Sequence, residues 1–292
     1  MVPIFSKSII VELIIYMDFA TLLTYRQTSH DSLDLVRRQL VKTMFLLVGR
    51  FVPNPRILLM KLERHGAFVA GSCALQFFLR HADVDPQDLD IFIPVDSMPR
   101  MLAHFLVDQA GIIIPSRFPD SSDLDHVLAE KAVTLSTSFG RVTLWQSEAH
   151  TPFLPITCGP TSFNFVYMNT RYFGCAYPTL LFNHRGIFGK PDAPGFEAAL
   201  EKCRGRGLDV RLFTHMWRDL AHHGPCAAAY YACPAQQRTF SDAGSLNARL
   251  LPHLYEPLDA EVVWRLDDRP CGSACAQPTV ELPIPRLLQN IL

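Results

Sequence analysis

The 292-residue sequence lacks an excess of charge of either sign: 27 lysines and arginines stand against 28 aspartates and glutamates, a formal net charge of −1. That balance argues against a surface built to wrap nucleic acid, which needs a strongly basic face, and leaves nucleic acid an unfavoured partner except at a local basic patch. Also missing is any apolar run of the ~20 residues needed to span a bilayer, so no membrane partner is expected. The strongest run, "IIVELIIYM" over 9–17, is short, is interrupted by Glu12, and reads as a buried helix face. No basic start followed by a small-residue cleavage site stands at the amino end, so the expected setting is intracellular, cytoplasmic or nuclear. Zinc spacings are missing too. The eight cysteines sit mostly singly in apolar segments, where a reduced thiol behaves as a small hydrophobe. Only Cys226 with Cys233 and Cys271 with Cys275, downstream of His222 and His223, invite a metal, and their spacing fits no common zinc pattern.

What is present is the composition of a compact chain, 49% hydrophobic and 19% charged, long enough for one large domain or two modest ones. Leu33, Val36, Leu40, Met44 and Leu47 recur at helical spacing over 31–50. After Pro53 and Pro55, "RILLMKLERHG" predicts a second helix ending at Gly66. "AFVAGS" predicts a strand and turn, "CALQFFLR" a helix, "LDIFIP" a strand, and "SMPRMLAHFLVDQAG" a helix closed by Gly111. "KAVTLSTS" and "RVTLWQS" predict a hairpin about Phe139–Gly140, and "SFNFVYMNT" a further strand. Beyond Pro191, "PGFEAALEKCRGRG" and "VRLFTHMWRDLAHHG" look helical, and the tail is rich in Pro, Cys and Gly. The expected class is therefore α+β, a mixed sheet flanked by helices. It divides into a helical lead-in over 1–65, a core over 66–190, and a mostly helical and irregular part over 191–292.

The chemistry concentrates in "VAGSCALQFFLRHADVDPQDLDIFIP", residues 69–94. Asp88 and Asp90, two apart on a strand, share one face, and carboxylates that close repel unless a cation or donors lie between them. Mg2+ (or Mn2+) is the expected cation, because it takes one or two carboxylates and leaves room for phosphate oxygens. Gly71 and Ser72 open a helix whose free N–H groups and positive dipole end suit an anion. The bland reading has Asp88 capping the strand and Asp90 paired with an arginine such as Arg80.

The order of strand, Gly-Ser, helix and acid-apolar-acid-apolar strand resembles the signature of the DNA polymerase beta-like nucleotidyltransferase superfamily. "GAFVAGSCALQFFL", "DLDIFIP" and "LEKCRGRG" are similar to a large, mostly uncharacterised fungal family of nucleotidyltransferase-like proteins, a resemblance covering roughly 50–210. It implies a nucleoside triphosphate as ligand, with Gly71 and Ser72 on the phosphates and Asp88 and Asp90 on the metal. Lys202, Arg204 and Arg206 are candidates to neutralise phosphate, or else the solvated face and last turn of a helix. Active members of the superfamily use a third acid on a later strand. Here "RVTLWQS" has none, and "SFNFVY" offers Asn164 where the resemblance places an aspartate, with Glu148 as the alternative. An amide is a weaker, neutral ligand and cannot serve as a general base. Two functions therefore stand: a nucleotidyltransferase acting on an unknown acceptor, or a degenerate, non-catalytic nucleotide-binding or interaction protein. His184, Arg185, Trp217, Tyr230 and Tyr231 read as packing or surface residues.

Overall fold

A computed structural model describes residues 7–80, 82, 84–114, 129–189, 196–220, 231–250, 258 and 262–267. The lead-in is four helices: α1 (Lys7–Tyr16), α2 (Phe19–Arg26), α3 (His30–Val48) and α4 (Pro55–Arg64). Local chemistry sets their ends. The Asp18 carboxylate accepts from the Thr21 N–H at 2.7 Å, the Ser29 hydroxyl from the Ser32 N–H at 3.1 Å, and Pro55 occupies the first turn of α4. Gly66 follows α4 at φ +62°, the left-handed position that glycine adopts without strain. On α3, Val36, Leu40, Met44 and Leu47 are buried as the spacing requires, whereas Leu33 is only half-buried and Leu35 takes the inward position in its place. On α1 the expectation of a buried run is corrected. Ile14 is buried, whereas Ile9, Val11, Leu13 and Ile15 are exposed, because a helix apolar all round rests only one stripe on α3.

The sheet is built from β1 (Phe68–Ala70), β2 (Asp88–Ile93), β3 (Ile112–Ile113), β4 (Ala129–Ser136), β5 (Arg141–Ser147), β6 (Val166–Met168), β7 (Tyr172–Cys175) and the late β10 (Leu246–Arg249). Its order is β10-β7-β6-β1-β2-β5-β4-β3. β2 and β5 run parallel, Asp88 opposite Arg141 and Asp90 opposite Thr143, while the other paired strands of this sheet are antiparallel. The fold is thus α+β with a mixed sheet. α5 (Gly71–Leu79) joins β1 to β2, and α6 (Met98–Asp108) follows β2.

Strand alternation splits the interior into two cores. Val69, Leu89, Ile91, Ile93, Val142, Leu144, Val166 and Phe173 pack toward the helices. Phe68, Phe92, Phe165, Tyr167 and Tyr172 face the opposite way, into an aromatic cluster completed by Phe153, Tyr177, Phe240 and Trp264. Residues past 230 therefore cover the second face as well as adding β10 to the sheet edge. Their latch is Arg238, 1% exposed, which donates to the Asp242 carboxylate at 2.7 and 3.0 Å and to the Ala176 carbonyl at 2.6 Å, with its guanidinium 4.6 Å from the Tyr177 ring.

The remaining helices and strands are α7 (Phe153–Ile156), α8 (Pro178–Leu181) and a parallel pair of β8 (Arg185–Ile187) with β9 (Asp209–Arg211), between which lies α9 (Phe196–Gly205). The helix expected over 210–224 is not formed where it is described. β9 is followed by 3-10 turns at Thr214–Met216 and Arg218–Leu220. Trp217 explains the difference: it is buried, its indole N–H donates to Asp209 at 2.7 Å, and Arg185 and Arg211 lie 5.4 and 5.1 Å from its ring. The strand expected over 162–170 shrinks to β6, because Ser162–Asn164 forms a 3-10 turn capped by its own side chains.

Candidate functional site

The site begins where β1 hands the chain to α5. Ala70 pairs with Asp90 on β2, and the next residue, Gly71, turns to φ +59° and starts the helix. A Cβ at Gly71 would lie 2.6 Å from Asp90 Oδ2, so only glycine lets the acid strand and the helix start meet. Ala70 offers no side-chain cap to α5. The Asp90 carboxylate stands instead at that positive end, where negative charge is favoured.

Asp88 and Asp90 project from β2 on the face away from Leu89 and Ile91, as period two requires. Parallel pairing brings Arg141 and Trp145 of β5 to the same face. The Trp145 indole N–H donates to Asp90 Oδ1 at 3.0 Å, and an Arg141 amine lies 3.5 Å from Asp88 Oδ2. Phe92, two residues past Asp90 on β2 and opposite Trp145, stacks on it with centroids 6.2 Å apart. The strand flanking the acids thus offers donors, not a further carboxylate. Beneath them the Cys73 thiol is pushed well above its usual value by burial and by the charges of Asp90 and Asp88, so it stays protonated and bonds to the Asp88 carbonyl at 3.6 Å.

Over this junction lies a crevice of about 90 Å3. Its floor is Gly71, Ser72 and Asp90, one wall is Thr161, Phe163 and Asn164, and its roof is Ala199, Lys202, Cys203 and Arg206 from α9 and the residue just past it. Five residues proposed from sequence with Asp90 as a sixth, namely Gly71, Ser72, Asn164, Lys202 and Arg206, are therefore brought together. Arg204 is not among them: it pairs with Glu201 at 3.1 Å on the exposed side of α9. Asp88 stands beside the crevice rather than in it, and the charges of Asp88 and Asp85 reach Arg206. Burial lowers the Arg206 guanidinium below the ordinary arginine value, with those carboxylates and Cys203 opposing the shift. It makes no ion pair among the described residues.

Asn164 Oδ1 accepts from the Thr161 N–H at 3.1 Å and the Thr161 hydroxyl at 2.8 Å, so its oxygen belongs to a turn. Glu148 lies exposed, five residues beyond the Thr143 that faces Asp90. That is about 16 Å along a strand, too far to join the acids. Arg80, the alternative partner for Asp90, donates instead to the Ile14 and Ile15 carbonyls of α1 at 3.2 and 2.9 Å. Trp145 and Arg141 were not anticipated. The hairpin motif points β5 at β4, and nothing in the sequence announces the parallel pairing with β2.

Among the described residues no three His, Cys, Asp or Glu side chains converge as a metal-ligand group. Cys226, Cys271, Cys275, His222, His223 and Tyr230 lie outside the described residues. Asp88 and Asp90 each have one carboxylate oxygen beside a donor, from Arg141 and Trp145 respectively. No helix among the described residues is long and apolar enough to cross a membrane. The sequence matches no family model and no curated protein.

Proposed function

We propose that this chain binds a nucleoside triphosphate with Mg2+ (or Mn2+) on a nucleotidyltransferase-like frame and has lost the transfer step. The observation that carries the reading is the contact of Gly71 with Asp90, which joins a helix start to an acidic strand beneath two cations, Lys202 and Arg206. The first N–H groups of α5 and the Ser72 hydroxyl take phosphate oxygens, and Lys202 and Arg206 offset their charge. Asp88 and Asp90 hold the magnesium, which supplies charge neutralisation at the phosphates. An intracellular setting, where triphosphates and magnesium are both abundant, goes with this ligand.

Loss of transfer rests on the flank of β2. Trp145 and Arg141 stand where a third carboxylate would have to approach, and the Asn164 amide cannot accept a proton from an incoming nucleophile. The crevice is also smaller than the ~300 Å3 or more of an ordinary ligand pocket, so binding requires α9 to move outward. A second reading, transfer to an unknown acceptor, is favoured by one observation, that Asn164 borders the same crevice as Asp90.

The test is a titration of labelled ATP, GTP, CTP and UTP with and without magnesium. Saturable, magnesium-dependent binding is expected, and Asp88→Asn with Asp90→Asn, which keeps the shapes and removes the charge, should abolish it. Equal binding by that double variant would overturn the assignment. Nucleotidyl transfer by the unaltered chain would establish the second reading over the first, whereas transfer gained only with Asn164→Asp would tie its loss to that position.

A further inference from the structure

Away from the crevice, α3 and α4 leave a groove of about 450 Å3 on the outer face of the lead-in helices. Two ridges of α3 form one side, Arg37–Val41–Phe45 and Arg38–Lys42–Leu46, each stepping by four residues, and Arg56 of α4 closes the other. Val41 and Phe45 are half-buried and form an apolar floor anchored on the core. Leu46 is 64% exposed, and Met60, one turn beyond Arg56, is 62% exposed. Arg37 and Arg38 share one carboxylate, Asp34, at 2.5 and 3.2 Å. Lys42 and Arg56 make no ion pair among the described residues. A chain with net charge −1 therefore concentrates four cations around one apolar trough.

We propose that this groove docks an acidic amphipathic helix of a partner protein, its apolar stripe on Val41, Phe45 and Leu46 and its carboxylates on Lys42, Arg56 and the Arg37–Arg38 pair. Charge complementarity selects an acidic occupant. The apolar floor selects against nucleic acid, because a phosphate backbone has nothing to bury on Phe45 and Leu46. Concavity between two helices selects a third helix, since ridges of one helix seat in the grooves of its neighbours and such a partner also covers Met60. The rim charges steer approach, and the buried apolar anchors hold the complex.

The experiment is fluorescence anisotropy on the full chain with two labelled helical peptides of about five turns, both carrying leucines at i, i+3, i+4 and i+7. One is flanked by glutamates and the other by lysines. Saturable binding of the glutamate peptide is expected, at least about tenfold tighter than the lysine peptide and weakened by salt. Lys42→Glu with Arg56→Glu, and separately Leu46→Asp, should each weaken it about tenfold or more while circular dichroism stays unchanged. Equal binding of the two peptides, or indifference to both variants, would overturn the proposal. So would displacement of the peptide by single-stranded RNA or by phosphatidylserine vesicles at lower concentrations, which would make the groove a polyanion or membrane site.

Discussion

Gly71 carries two constraints at once, a backbone at φ +59° and a carboxylate oxygen where a Cβ would stand. Gly71→Ala should therefore cost about 1–3 kcal/mol in denaturant unfolding and shift Asp90 away from the start of α5. Trp145 offers a more discriminating variant. Trp145→Phe removes a charge-assisted hydrogen bond and should lower stability by about 1–2 kcal/mol, while taking away one donor that competes with a cation for Asp90 Oδ1. Magnesium-dependent nucleotide binding should then tighten as stability falls, and a parallel loss of both would show that Trp145 only packs. At this scale much of the site was legible: glycine, serine and two alternating acids declare a turn and one face of a strand. Asn164 was legible as an amide but not as a cap, because its bond to Thr161 depends on the chain leaving the extended conformation that its neighbours suggest.

Among elements, the segment around Arg238 is held by the Arg238–Asp242 ion pair, the bond to the Ala176 carbonyl and the packing of Phe240 and Trp264, instead of a long helix or strand. Burial alone would raise the Asp242 carboxyl, but hydrogen bonds from Arg238 and the Thr239 N–H, with the guanidinium charge, hold it below the usual carboxylate value. A depressed acid contributes stability above its unfolded pKa of about 4, and that contribution is lost as pH falls through the lower folded value. Acid titration followed by Trp264 fluorescence should accordingly show the segment released below about pH 4. Arg238→Met, which strands the Asp242 charge, should cost about 3–5 kcal/mol at neutral pH. Sequence periodicity located α3, α4, α5 and β2, whose patterns are set by one dominant face. It failed over 210–220, where Trp217 and two arginines build a local cation–aromatic cluster that resembles a helix only in composition.

For the whole molecule, the sheet is covered by helices on one side and by aromatic residues from distant parts of the chain on the other. Ending the chain at residue 230 would remove β10, Phe240 and Trp264 and bare Phe153, Phe165 and Tyr167. The truncated protein should bind more hydrophobic dye and aggregate more readily than the full chain. A stable, monomeric product would show that the aromatic face tolerates water.

By itself the sequence determined where apolar faces recur and which residue types meet within a short span, because period and turn chemistry act between near neighbours. That was enough for an α+β class and for the Gly71–Asp90 junction, whose parts lie within twenty residues of one another. Only the tertiary structure decided what flanks the acids. β5 joins β2 from fifty residues away, and the roof of Lys202 and Arg206 arrives from still farther along the chain. Long-range strand pairing is selected by the burial of whole faces rather than by any local motif, so Trp145 reaches Asp90 through a register that no short stretch encodes.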